Sequence, residues 1–355
     1  MPTPNNEANT HRRTRIRDVA ELAGTSVAAV SVVLTGKSKG TIRVSDETER
    51  RIRDAAQQLN YTPNPVARGL ATGRCRVLGL VFPYSRAFTD RSPFCTELMT
   101  GVFDEAIREQ YNVMLHTAVG EDWYSADAQI LADPRADGLI LSIPRPNSEI
   151  VSGLIRRRYP VVTVVYDPGE QDVCSVNADE FTGGRLAAEH LVKLGHKRIA
   201  HLAGLPVVAT SEPRKQGFLS VMREAGLPVD PELVPTTGFS HDLAYERTTE
   251  LLALPKDRRP TALFAANDLA ANGCIAAIRD AGLRVPDDIA VVGYDDTWFA
   301  DITSPKLTSV HMPIFEMGIE AAKILTALVE GRPIVEKHPV LPVSLTVRES
   351  CGAQR

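Results

Sequence analysis

Apolar residues near the start of the chain recur at helical spacing. Ile16, Val19, Ala20 and Ala23 fall at i, i+3, i+4 and i+7, the stripe of a short amphipathic helix. Gly24 follows, at a place where a residue tolerant of positive φ ends a helix. Ser26 is then a natural N-cap for a second helix carrying Val27, Val30 and Leu34. A third helix is predicted from Ser45-Asp46 to about Leu59, with Ile52, Ala55, Ala56 and Leu59 turned inward. Two short helices around a glycine turn make the helix-turn-helix pattern. Helical hairpins also occur in domains that never touch DNA, so the pattern alone leaves the function open.

From Arg76 onward the periodicity changes. Apolar runs at 77–82, 112–116, 138–142, 161–165, 198–203, 262–265 and 289–293 are separated by helix-length segments. Short β-branched strands so spaced mean βαβ units and parallel sheets, and this many units predict two doubly wound subdomains. Ligands of such folds bind at the carboxyl ends of the strands, where loops converge. Between the two regions, Asn64-Pro65 reads as an N-cap with proline at the first helical position, and Gly73 as a stop. The intervening segment is barely two turns long. An isolated helix that short is marginal in water, and Gly69 weakens it further.

Composition adds a polarity to this plan. The net charge of the 355 residues is −4, but residues 1–76 carry 13 Lys+Arg against 7 Asp+Glu, while the remainder carries 27 against 37. A basic end on an acidic body points to a polyanion partner for that end. The five cysteines are scattered with no CxxC pair, which argues against a disulfide framework or a structural zinc site and fits reducing cytoplasm. The first dozen residues are polar and read as disordered, with no apolar stretch to serve as a signal peptide. No run approaches the length of a membrane span, so no membrane partner is expected. There is no GxSxG elbow, Walker A loop, HExxH, or GxGxxG after the first strand. Neither an enzyme nor a cofactor is therefore expected. Gly183-Gly184 lacks phosphate-loop spacing, and His196 and His201 at i, i+5 suit capping or strand roles better than a metal site.

The run Ile16-Arg17-Asp18-Val19-Ala20-Glu21-Leu22-Ala23-Gly24-Thr25-Ser26, with Val30-Ser31 and Val33-Leu34, resembles the signature of the lactose-repressor (LacI/GalR) family. Leu59-Asn60-Tyr61-Thr62-Pro63-Asn64 and Ala67-Arg68 match the segment that closes that family's DNA-binding domain. Further matches at Ser92-Pro93-Phe94, Leu194 to Ile199, Arg214 to Phe218, Ala266-Asn267-Asp268 and Gly293 to Asp296 extend the resemblance over about residues 15–350. It implies a disordered arm at 1–14, a helix-turn-helix domain at 15–63, a hinge at 64–75, and a periplasmic-binding-protein-like effector domain at 76–350. Its two parallel-sheet subdomains would be joined by crossovers near residues 170, 305 and 335.

The resemblance also assigns roles. The second helix would lie in the major groove of double-stranded operator DNA, with Val27, Ala28 and Val32 at base edges. Polar residues and an arginine are common there in the family. Valine and alanine cannot make bidentate hydrogen bonds to guanine or adenine, but they contact thymine methyls. Ser26, Ser31, Thr35, Thr48 and Tyr61 would hold phosphates and set register. Leu70 would wedge into the minor groove from a hinge helix that folds on DNA in a homodimer. In the effector domain, Arg214, Asn267 and Asp295 would hydrogen-bond a small molecule, with Phe94 and Phe239 packed on it. A carboxylate accepting from hydroxyls, an arginine fork donating, and aromatic faces suit a sugar, with a purine as the alternative. Each position also has a plainer role: Asn267-Asp268 as a helix cap (for Asp268 chiefly this), Asp296 bonding its own loop backbone, and either phenylalanine as core. A sugar-binding protein without DNA function would share the body but has no use for the head. The expected product is a repressor acting on a near-palindromic operator.

Replacing Leu70 with Ala is expected to weaken binding to the specific operator far more than binding to random DNA, because the wedge acts only on bent duplex. Competition titrations check this. Equal losses on both DNAs would make the segment a plain linker.

Overall fold

The computed structural model describes residues 14–35, 44–62, 74–82, 92–116, 128–145, 148–166, 168–169 and 172–353. Two compact units emerge, residues 1–75 and 76–355.

The first unit holds α1 (Ile16–Leu22), α2 (Val27–Thr35) and α3 (Asp46–Gln58). Gly24, at φ +60°, makes the turn after α1. The Ser26 hydroxyl accepts from the Ala29 amide at 3.2 Å, and Ser45 caps α3 by accepting from the Thr48 amide at 3.3 Å. Val19, Ala20, Ala23, Ala29, Val30, Val33, Ile52, Ala55 and Ala56 close a small core, with Leu59 packed against it. Val33 rather than Val27 supplies the inner face of α2. Val27 is 39% exposed because the helix begins there and its first turn points away from α1 and α3.

The second unit is an α/β body of two sheets. The first contains β1 (Val77–Val81), β2 (Asn112–Leu115), β3 (Gly138–Ser142), β4 (Val161–Val164), β5 (Cys174–Ala178) and β10 (Val340–Leu341), in the order β10-β5-β4-β3-β1-β2 and all parallel. The second contains β6 (Ile199–Leu202), β7 (Ala262–Ala265), β8 (Ala290–Asp295), β9 (Thr308–His311) and β11 (Ser344–Thr346), ordered β11-β9-β8-β7-β6. Only β11 departs from the parallel plan, running antiparallel to β9. The inner strands β3 and β4 of the first sheet, with β6 and β7 of the second, are buried on both faces, as parallel sheets flanked by helices require.

Helices α4 (Pro93–Arg108) and α12 (Ile314–Glu330) pair beside the first sheet, with α5 (Ala128–Leu131) and α6 (Glu149–Arg156) also in that half. Helices α7 (Glu180–Lys193), α8 (Ser211–Glu224), α9 (His241–Leu252), α10 (Asp268–Asp280) and α11 (Trp298–Ile302) belong with the second. The chain therefore changes sheets between Ala178 and Glu180, between His311 and Ile314, and between Leu341 and Ser344. These crossings fall several residues beyond the expected 170, 305 and 335.

The two leading helix pairs meet backbone to backbone. A Cβ on Gly101 would collide with the Phe315 carbonyl, and one on Gly318 with that of Leu98, so only glycine permits the α4–α12 approach. In the other half, Gly184 faces the Arg214 carbonyl and Gly217 that of Phe181, locking α7 onto α8.

Gly101→Ala is expected to cost about 1–3 kcal/mol by overpacking, since the obstacle is backbone and cannot rotate away. Urea unfolding of the full chain measures it. A change within about 0.5 kcal/mol would mean that the helices separate freely.

Candidate effector site and DNA-reading helix

Asp295 ends β8 with φ +98°, and Asp296 follows at +53°. This turn lies against the N-terminus of α10, where Asn267 is the N-cap: its Oδ1 accepts from the Ala270 amide at 2.8 Å. Asn267 is thus the capping residue. Asp268 does something different from capping. Its buried carboxylate accepts from the Thr297 amide at 3.0 Å and from the Ser309 hydroxyl at 2.5 Å, tying α10 to the loop after β8 and to β9. Asp296 does not bond its own loop backbone. It accepts from Arg348 at 2.5 Å and from the Thr346 hydroxyl at 2.6 Å, which anchors the β11 segment.

Arg214, in the first turns of α8, is 3% exposed. Its Nε and Nη2 donate to Glu180 Oε2 at 3.0 and 2.6 Å, and Nη1 donates to the Ala266 carbonyl, next to Asn267. Its guanidinium carbon stands 3.4 Å from the centroid of the Tyr294 ring. The expectation was a fork aimed at ligand; the structure puts that fork on Glu180. Burial works to lower the guanidinium's pKa, but the charge of Glu180, with Tyr294 and Asp295, holds it above its ordinary value. Arg214 is a fixed cation.

Asp295 has no such partner. Its buried carboxyl makes no hydrogen bond among the described residues, and burial, then the neighbouring Asp268, push its pKa well above the ordinary range despite Arg214. It also acts across the domain. The Cys95 thiol, beside Phe94 on α4, is pushed up to about 11, by burial first and with Asp295 contributing. Arg214, Asp295 and Ala266-Asn267 lie together in the second subdomain, while Phe94 and Cys95 open α4 in the first. Phe94 is half-buried against the main core, and the Phe239 ring lies against Gly204, just past β6. A separate cavity of about 350 Å³ runs along α8 beside Gly204, Lys215, Leu219 and Val234; none of the residues expected to bind the effector lines it.

Glu180 and Tyr294 were not anticipated from sequence. The signal was Gly183-Gly184. Gly183 leaves room for the Tyr294 hydroxyl, and Gly184 for the backbone at Arg214. His201 sits on β6, its Nδ1–H donating to the Phe264 carbonyl at 3.0 Å, and burial lowers its pKa to about 3. His196 lies 3.0 Å from the Thr261 hydroxyl.

On the first unit, Ser26, Val27 and Ala28 form an exposed N-terminal edge of α2, while Ser31 and Val32 are half-buried one turn on. Thr48 and Tyr61 are half-buried; the Thr48 hydroxyl lies 3.0 Å from that of Ser45. Leu70 and the side chain of Thr35 lie outside the described residues.

The profile of bacterial regulatory proteins of the lacI family matches residues 15–64, and that of a periplasmic binding protein-like domain matches 188–351. The HTH-type transcriptional repressor PurR of Pasteurella multocida (strain Pm70) is 32% identical over 339 residues, covering 94% of this chain and 98% of its own. The chain belongs to the LacI family. It is a DNA-binding transcriptional regulator with an effector-binding domain, and not an enzyme. Among solved structures, the Lac repressor dimer bound to operator and the anti-inducer ONPF superposes with a TM-score of 0.81 at 28% identity, covering 96% of this chain and 99% of that one. The CelR–cellobiose complex gives 0.71 at 31% identity, covering 95% and 100%. As in such structures, the partners of this LacI-family chain are operator DNA and a small-molecule effector. No described helix is long and apolar enough to cross a membrane.

The Asp268 carboxyl is raised to about 7 by burial, against the lowering hydrogen bonds from Ser309 and Thr297. An unfolded aspartate titrates near about 4. Between those values the native state holds a proton the unfolded chain lacks, so this group's contribution to stability falls as pH rises toward 7. Asp268→Asn is therefore expected to flatten the dependence of melting temperature on pH between about 5 and 7. A slope equal to wild type would place the titration elsewhere.

Proposed function

We propose that this regulator is a repressor that binds a near-palindromic operator as a homodimer and answers to a sugar held by Asp295, Arg214 and Asn267. The observation that carries the reading is the largely buried Asp295 carboxyl at the end of β8, without a hydrogen-bond donor among the described residues and beside the Arg214 charge. Burying an acceptor without a partner is costly, and a ligand rich in hydroxyls removes that cost. The full-length likeness to a cellobiose complex supports a sugar, as does the LacI-family structure from Enterococcus faecium with bound ribose, at 29% identity and a TM-score of 0.66. A ligand that touches both subdomains fixes their angle and so biases the DNA-competent state. One helix-turn-helix covers a half-site, and a two-fold dimer matches a palindrome. Ser26, Val27 and Ala28, exposed at the start of α2, suit base and phosphate contact, with Val32 reading one turn further on; Ser31, Thr35, Thr48 and Tyr61 complete the phosphate contacts, and Leu70 is the minor-groove wedge.

A thermal-shift screen against sugars and purines identifies the effector, since a ligand that binds only the folded state raises its melting temperature. Asp295→Asn then separates binding from architecture. Without ligand the variant is expected to melt close to wild type, because a neutral amide replaces a carboxyl that burial already holds toward its neutral form. Its effector affinity by calorimetry is expected to fall at least about tenfold, the loss of a charged hydrogen bond worth about 1.5–3 kcal/mol. Lower stability together with wild-type affinity would make Asp295 a loop-holding residue and remove it from the site.

A further inference from the structure

Arg214 carries five N–H donors in a flat fork, the geometry that suits phosphate and carboxylate. In this chain three of the five are bonded, with the Nε–Nη2 edge of the fork taken by Glu180. Nε and Nη2 both donate to Glu180 Oε2, Nη1 donates to the Ala266 carbonyl, and one face is covered by Tyr294. The pair is buried on both sides, with Arg214 3% and Glu180 7% exposed. It is also built into the frame, because Gly184 and Gly217 bring α7 and α8 into backbone contact at the same crossing.

The charge balance follows from this arrangement. Two buried carboxyls, Glu180 and Asp295, act on the guanidinium, and a third, Asp268, acts on Asp295. Glu180 is bonded to Arg214, Asp268 to Thr297 and Ser309, and Asp295 to nothing described. Glu180 Oε1 is itself buried without a hydrogen-bond partner. The guanidinium is thus paired with Glu180, while burial holds Asp268 and Asp295 toward their neutral forms.

We propose that Glu180 sets the charge class of the effector: by taking the Nε–Nη2 edge of Arg214 and neutralising its charge, it turns the site against phosphorylated and carboxylate ligands and reserves it for uncharged or amino-bearing molecules that donate to Asp295. This rests on the effector site proposed above. An anion entering the cluster would have to displace a desolvated carboxylate from Arg214, or else bring a charge that no remaining cation of the cluster balances, and both routes oppose it. A hydroxyl or ammonium group meets neither obstacle.

Inorganic phosphate is the probe, titrated calorimetrically into the full-length protein at constant ionic strength. Wild type is expected to show no saturable binding at millimolar phosphate. Glu180→Gln, which keeps the shape and removes the charge, is expected to gain at least tenfold in phosphate affinity, and a further Arg214→Lys substitution to abolish the gain. Phosphate binding by wild type that Arg214→Lys removes overturns the proposal. So does a folded Glu180→Gln variant with no gain, its fold checked by circular dichroism and melting. Should Glu180→Gln not fold, wild-type crystals soaked in phosphate decide. An anion on the Arg214 nitrogens refutes the gate, and an Arg214 still bound to Glu180 with no anion upholds it. Failure of the sugar-site reading appears separately, as wild-type sugar affinity in Asp295→Asn, on which the phosphate titration does not depend.

Discussion

The crossing of α7 and α8 is the constraint on which the effector domain's chemistry depends. Two glycines, Gly184 and Gly217, let each helix press on the other's carbonyls, and no larger residue fits. That approach sets Glu180 beside Arg214 at 2.6 Å and leaves the guanidinium face to the Tyr294 ring. Taking two charges out of water is expensive, and removing one member of such a buried pair typically costs about 3–5 kcal/mol. The pair is therefore a fixed part of the architecture. It also stands at the first crossing between the sheets, since Glu180 is the second residue after β5.

The end of β8 is held in the opposite sense. Its two aspartates take positive φ, uncommon for residues other than glycine, and one of them keeps a buried carboxyl without a donor. Asp268 and Asp296 secure the turn by bonding outward to β9 and to the β11 segment, so that Asp295 can be left unsatisfied. Local instability at a ligand site, maintained by stable surroundings, is how folded proteins keep binding groups poised.

The strongly apolar elements were legible in sequence. β1 to β4 and β6 to β8 all appear within a residue or two of the predicted runs, and α2 and α3 follow their capping residues Ser26 and Ser45. β5 and β9 escaped because Cys174-Ser175-Val176-Asn177-Ala178 and Thr308-Ser309-Val310-His311 read as polar. In the fold their polar groups are bonded: Thr308 Oγ1 to Cys351, and Asn177 to the Tyr166 backbone at 3.0 Å. Arg214 and Asp295 were legible from motif and strand end, but the neutralising partner was not. Glu180 lies 34 residues from Arg214, and only the helix crossing joins them. Capping chemistry also competes with ligand chemistry for the same residue type, which is why Asn267 reads both ways.

The last strands carry a consequence for genetics. β10 closes the edge of one sheet and β11 that of the other, with only Pro342 and Val343 between them. Just beyond, the Ser350 hydroxyl donates to the Val291 carbonyl at 2.6 Å and accepts from the Thr308 amide at 2.9 Å, so the closing residues are sewn into the centre of the second sheet. A frameshift or stop codon near position 339 leaves the DNA-reading helices and most of the effector domain encoded, yet strips an edge from both sheets at once. Alleles truncated there are expected to lose function, and a fusion joined beyond Ser350 leaves these bonds in place.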